Sequence, residues 1–69
     1  MDNTQRLLRL PAVIAATGLQ RSTIYDGIRG GTFPKPVMLG GRTVAWVGAE
    51  IEQWISARIA ARDAKAGAL

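Results

Sequence analysis

The chain has 69 residues, nine Lys and Arg against five Asp and Glu for a formal charge of +4, and neither Cys nor His. That length permits one small domain with a marginal core, and the missing residue types exclude a disulfide framework, a Cys/His zinc site and thiol or imidazole catalysis. No apolar run is long enough to span a membrane, and residues 1–10 carry two arginines with no signal-type apolar region after them, so a soluble cytoplasmic protein is expected.

The first periodic stretch, Leu10 to Gly18 (LPAVIAATG), predicts a short helix. Pro11 falls in its first turn, where a missing N–H costs nothing, and Gly18 lies just past its end. Val13 and Ile14 are its inward residues. Leu19 occupies a tight connection, after which residues 20–29 (QRSTIYDGIR) resume helical character until Gly30 and Gly31 stop it. Ile24 and Ile28, four apart, mark the buried stripe of this second helix. They turn Ser22, Asp26 and Arg29 outward and leave Tyr25 on the shoulder. Two short helices joined this closely form a helix-turn-helix pattern.

The period then changes. Pro34 and Pro36 force an extended entry with Lys35 held outward between them. Val37 and Leu39 alternate around Met38, Gly40-Gly41 supplies a two-residue hairpin turn, and Val44 and Trp46 alternate on the return strand. A small β-hairpin, or wing, is expected over 37–46. Residues 47–62 read as a closing helix with Val47, Ile51, Trp54, Ile55 and the stem of Arg58 on one face. Its acids, Glu50 and Glu52, stand near the start and Arg58 and Arg62 near the end, as the helix dipole favours. Residues 63–69 lack a hydrophobic pattern and are expected to form a flexible tail beyond a domain covering 1–62.

Charge is distributed unevenly along this plan. Residues 1–46 hold six basic residues (Arg6, Arg9, Arg21, Arg29, Lys35, Arg42) against Asp2 and Asp26, whereas residues 47–69 balance three against three. The upstream half therefore suits a polyanion and the closing helix suits support. A second helix exposing Arg21, Ser22, Thr23 and Arg29 has the side chains to meet base edges. Tyr25 offers a hydroxyl to phosphate, and Arg42, just after the hairpin turn, extends the positive surface to adjoining backbone or a minor groove. Trp46 and Trp54 fall on the buried phase of their elements and belong to the core rather than to base stacking. Residues 27–30 (GIRG) fit the GxxG pattern of an RNA-binding loop, but they end a helix and lack the sheet such a domain needs. No nucleophile–base pair or phosphate-cradling loop is visible, so neither catalysis nor a cofactor or metal is expected.

The run from Arg9 to Ile55 resembles the AlpA-like prophage regulators, relatives of the MerR-type and excisionase-type winged helix-turn-helix proteins. The resemblance is carried by RSTIY in the second helix, FPKPV before the wing, GGR at its tip and EIEQWI in the closing helix. It implies sequence-specific binding to duplex DNA in transcriptional control of a phage or other mobile element, with an architectural role in excision as the alternative. The fold class expected is mainly α with a two-stranded wing and three helices. The residues expected at DNA are Gln20, Arg21, Ser22, Thr23, Tyr25, Asp26, Arg29, Lys35 and Arg42. Further partners in view are a second copy, through dimerisation or cooperative binding, and a recombinase or RNA polymerase; an acidic protein docking on the basic face is the reading from another class.

Two positions depart from the family pattern. Gln20 stands where a small capping residue is usual, which leaves the second helix weakly capped. Asp26 stands where a basic residue is frequent; it accepts from a cytosine amino group, tethers Arg29, or lies outside the groove. Specificity different from that of relatives follows.

Overall fold

The computed structural model describes residues 6–66, in the order β1 (Leu7–Leu8), α1 (Leu10–Thr17), α2 (Arg21–Gly30), β2 (Val37–Gly40), β3 (Thr43–Val47) and α3 (Gly48–Ala66). Three helices and an antiparallel β2–β3 hairpin give the expected winged helix-turn-helix architecture. The two-residue β1 joins the hairpin as a third strand, in the order β1-β3-β2, with Leu8 opposite Trp46. A single pair of residues has no period to read, which is why pattern reasoning passed over it. Its pairing brings the Arg6 carbonyl to accept from the amide of Gly48 at 2.7 Å, which ties the start of α3 to the start of the described chain.

Pro11 stands in the first turn of α1, and Gly18 ends it in the left-handed region, φ 72°, its amide donating to Ile14. The Thr17 hydroxyl donates to the Val13 carbonyl and accepts from the Leu19 amide, so the three-residue connection to α2 is held from within. No side-chain bond caps α2 at Gln20, as its residue type implied. At the other end Gly31, φ 79°, turns the chain back on itself, and the amides of Thr32 and Phe33 both donate to the carbonyl of Gly27. This brings Phe33 beneath α2. A Cβ at position 27 would lie 2.9 Å from the Phe33 Cβ, so the close approach requires glycine there.

The core is one contiguous cluster of Val13, Ile24, Phe33, Trp46 and Ile51, with Ile14, Ile28, Trp54 and Ile55 among the half-buried residues packed on it. Both tryptophans are structural, as expected. The Nε1 of Trp46 donates to the Pro34 carbonyl at 3.0 Å, and that of Trp54 donates to the Thr32 carbonyl at 2.8 Å. Phe33, to which the sequence pattern gave no role, completes the cluster and meets Trp54 edge-on at 5.0 Å.

Several expectations are corrected. The hairpin turn is made by Gly41 and Arg42, because Gly40, at φ 128°, still pairs with Thr43 across an irregularity in β2; Arg42 is thus in the turn rather than after it. Alternation does not bury Val37 and Leu39: β2 is the edge strand, and all four of its residues are exposed. On β3, central in the sheet, adjacent Ala45 and Trp46 are both buried. Val47 ends β3 instead of opening the closing helix, since pairing with Leu7 holds it extended. Finally, α3 runs on to Ala66, so Lys65 occupies its last turn while Arg58 and Arg62 are interior to it. The part of the expected tail at 63–66 is helical, and residues 67–69 lie outside the described residues.

Candidate nucleic-acid interface

Helical periodicity sorts α2 into four rows of residues spaced four apart. Ile24 and Ile28 form the buried row. Arg21, Tyr25 and Arg29 form a row on one flank, Ser22 and Asp26 the row facing away from the core, and Thr23 and Gly27 the row on the other flank. Arg21, Ser22, Thr23, Asp26 and Arg29 are exposed, whereas Tyr25 is half-buried. The helix therefore turns its Ser22–Asp26 row fully outward, keeps Arg21, Arg29 and Thr23 exposed on its flanks, and stands on isoleucine.

The first flank is braced against the wing. Tyr25 packs edge-on against Trp46 of β3, with ring centroids 6.3 Å apart, and the Arg21 guanidinium lies over the Tyr25 ring at 5.7 Å. The arginine is preoriented by its cation–π contact while its N–H donors stay available. One turn later the Arg29 guanidinium donates to the Asp26 carboxylate across the outer surface, both side chains remaining largely exposed at 71% and 66%. Of the alternatives open for Asp26, a tether on Arg29 is thus formed in the free protein.

The second flank faces α3. Thr23 opens onto a hollow of about 220 Å³ that Leu19, Thr32, Phe33, Trp54 and Arg58 also line. Arg58 seats its guanidinium on the Trp54 ring at 5.1 Å. The sequence pattern assigned Arg58 a packing stem and a place favoured by the helix dipole, but no partner for its guanidinium. The spacing of Trp54 and Arg58, four apart on one helix, was the available signal for this stacking.

Arg42 is exposed in the wing turn. Lys35 is also exposed but is not gathered with the α2 rows: it lines an open groove of about 580 Å³ between the loop after α2 and the α3 residues Glu50, Gln53 and Trp54. Gln20 is exposed at the entry to α2 in extended conformation. The assembled surface is polar and basic, with donors from arginine and hydroxyl groups and one carboxylate acceptor. Among the described residues no group of three or more His, Cys, Asp or Glu side chains is placed to hold a metal, and no helix is long and apolar enough to cross a membrane.

Comparison with known proteins gives a consistent set of likenesses. The family described as prophage CP4-57 regulatory protein (AlpA) matches residues 6–59. The uncharacterized protein ORF88 of Enterobacteria phage P4 is 53% identical over 62 residues, covering 88% of this chain and 70% of its own. The DNA-binding transcriptional activator AlpA of Escherichia coli (strain K12) is 51% identical over 59 residues, covering 77% of this chain and 84% of its own.

Proposed function

The chain belongs to the AlpA family of prophage regulatory proteins, and on that premise we propose that it binds duplex DNA sequence-specifically and regulates transcription of a phage or other mobile element. α2 enters the major groove, where Arg21, Ser22, Asp26 and Arg29 face base edges, and Gln20, Thr23 and Tyr25 meet the adjoining backbone. Arg42 at the wing tip contacts flanking phosphate, and Lys35 reaches phosphate from the loop beyond α2. It works in the cytoplasm by binding, not by catalysis, with residues 1–62 as the DNA-binding unit. The hairpin between the second and third helices supports placing it with the MerR and excisionase types of winged helix-turn-helix.

The observation that carries this reading is the exposed polar surface of α2, standing on Ile24 and tied to the wing through Tyr25 and Trp46. Such a surface presents several donors in fixed orientation beside a second basic element, which suits groove reading with backbone anchoring. The experiment is selection of bound duplexes from a random pool, followed by a salt titration on the selected site and on an unrelated duplex. A selected motif bound ~10³-fold or more tighter than the unrelated duplex supports the reading. Equal affinity for the two duplexes contradicts sequence-specific binding, and an affinity for an acidic protein with none for DNA assigns the basic face to protein docking. Dense cooperative coating of the selected DNA by successive copies favours the excision role over transcriptional control.

A further inference from the structure

We propose that Arg58 of α3, with Thr23 of α2, forms a phosphate subsite for the DNA strand opposite the one met by the wing. The inference rests on the proposed entry of α2 into the major groove. A major groove is walled by two phosphate backbones about 12 Å apart. A helix lying in it presents one flank to each wall. The Arg21–Tyr25–Arg29 flank of α2 is the wing's side, because Tyr25 packs on Trp46 at the root of the hairpin. The opposite flank, the Thr23–Gly27 row, is bordered by α3, and the basic residue beside it is Arg58.

The geometry of Arg58 is that of a prepared donor. Its guanidinium is stacked on Trp54 at 5.1 Å, and the Trp54 ring is itself fixed by its bond to the Thr32 carbonyl and by its edge contact with Phe33. Ion pairs among the described residues join Asp26 to Arg29 and Arg62 to Asp63, so no carboxylate there spends the Arg58 donors. Stacking leaves the in-plane N–H groups free and cuts the entropy lost when they bind, the condition under which arginine suits a phosphate better than lysine. The hollow of about 220 Å³ beside it is lined by the aromatic rings of Phe33 and Trp54 together with Thr23 and Thr32. A phosphate oxygen there accepts from Arg58 and from the Thr23 hydroxyl together, while the wing holds the other strand.

The test is ethylation interference on the selected site, with wild type, Arg58→Met, which keeps an apolar stem against Trp54, Arg58→Gln as a second uncharged variant, and Arg58→Lys. Wild type should be blocked by ethylation of phosphates on both walls of the groove. In Arg58→Met and Arg58→Gln the block should disappear on the wall away from the wing. The salt slope should become shallower by about one unit, with the selected sequence unchanged. Arg58→Lys should keep the slope but bind more weakly, since a point charge does not reproduce the planar fork. An unchanged interference pattern and slope in Arg58→Met, where Arg42→Ala alters both, overturns the subsite and leaves the groove assignment standing. A wild-type chain that binds no duplex overturns both.

Discussion

The ring of Tyr25 stands edge-on to Trp46, with centroids 6.3 Å apart and planes inclined at 68°, so that α2 and the strand carrying the wing share one aromatic contact. Trp46 is fully buried and bonded to the Pro34 carbonyl, whereas Tyr25 is half-buried and lies under the Arg21 guanidinium. Tyr25 is thus at once a brace between α2 and the wing and a platform for Arg21.

Tyr25→Phe should keep that packing and leave stability within ~0.5 kcal/mol of wild type, while DNA binding weakens by about 1 kcal/mol through loss of the hydroxyl. Tyr25→Ala should lower stability by ~2 kcal/mol through lost burial and lost aromatic pairing. Urea unfolding and fluorescence anisotropy on the selected site measure the two effects separately. Equal DNA affinity in wild type and Tyr25→Phe removes the hydroxyl from the interface.

Two glycines of α2 should respond in opposite directions to alanine. A Cβ on Gly27 meets the Phe33 Cβ at 2.9 Å and the Thr32 Oγ1 at 3.3 Å, whereas a Cβ on Gly30 meets nothing within 4 Å. Gly27→Ala should cost about 1–3 kcal/mol, because Phe33 is buried and its Cβ moves only with its backbone. Gly30→Ala should be neutral or stabilise by up to ~1 kcal/mol through helix propensity. Denaturation midpoints of the two variants against wild type decide the point, and equal midpoints would contradict the close packing beneath α2.

Asp26 and Arg29 should act as one unit on DNA. The pair is largely exposed, so Asp26→Ala should change folding stability by under ~1 kcal/mol. On DNA it should alter preference at one base pair, because Arg29 is freed to choose another acceptor. The double variant Asp26→Ala/Arg29→Ala should then bind no worse than Arg29→Ala alone. Binding-site selection with the three proteins gives the comparison. Additive losses would mean that Asp26 touches DNA independently of Arg29.

Arg42, in the turn at the wing tip, should report on backbone rather than sequence. Arg42→Ala should weaken binding to selected and unrelated duplexes alike and make the salt slope shallower by about one unit. A loss confined to the selected duplex would place this arginine on a base or in a minor groove of defined sequence.

Much of this architecture was legible in the sequence because single residues impose it. Pro11 and Gly18 bracket α1, Gly31 ends α2, and Ile24 with Ile28 sets the face on which α2 stands. What escaped depends on contacts between distant positions. β1 exists because Leu7 and Leu8 pair with Val47 and Trp46, about forty residues away in the chain. Val47 looked helical beside Ile51 for want of that partner. Val37 and Leu39 alternate as a half-buried strand would, yet β2 is an edge with no layer covering it, and alternation cannot reveal which strand is central. At the candidate interface, residue types gave the exposed row of α2. The place of Arg58 beside Thr23 needed the fold, since it depends on α3 passing alongside α2.

The claim that α2 reads DNA is tested most directly by the affinity of Arg21→Ala and Arg29→Ala for the selected site and for an unrelated duplex, with folding of each variant verified by its unfolding curve. If these arginines meet base edges, each substitution should cost about 1–3 kcal/mol on the selected site, some 5–150-fold, and much less on the unrelated duplex. Folded variants that both bind the selected site as tightly as wild type would contradict the account.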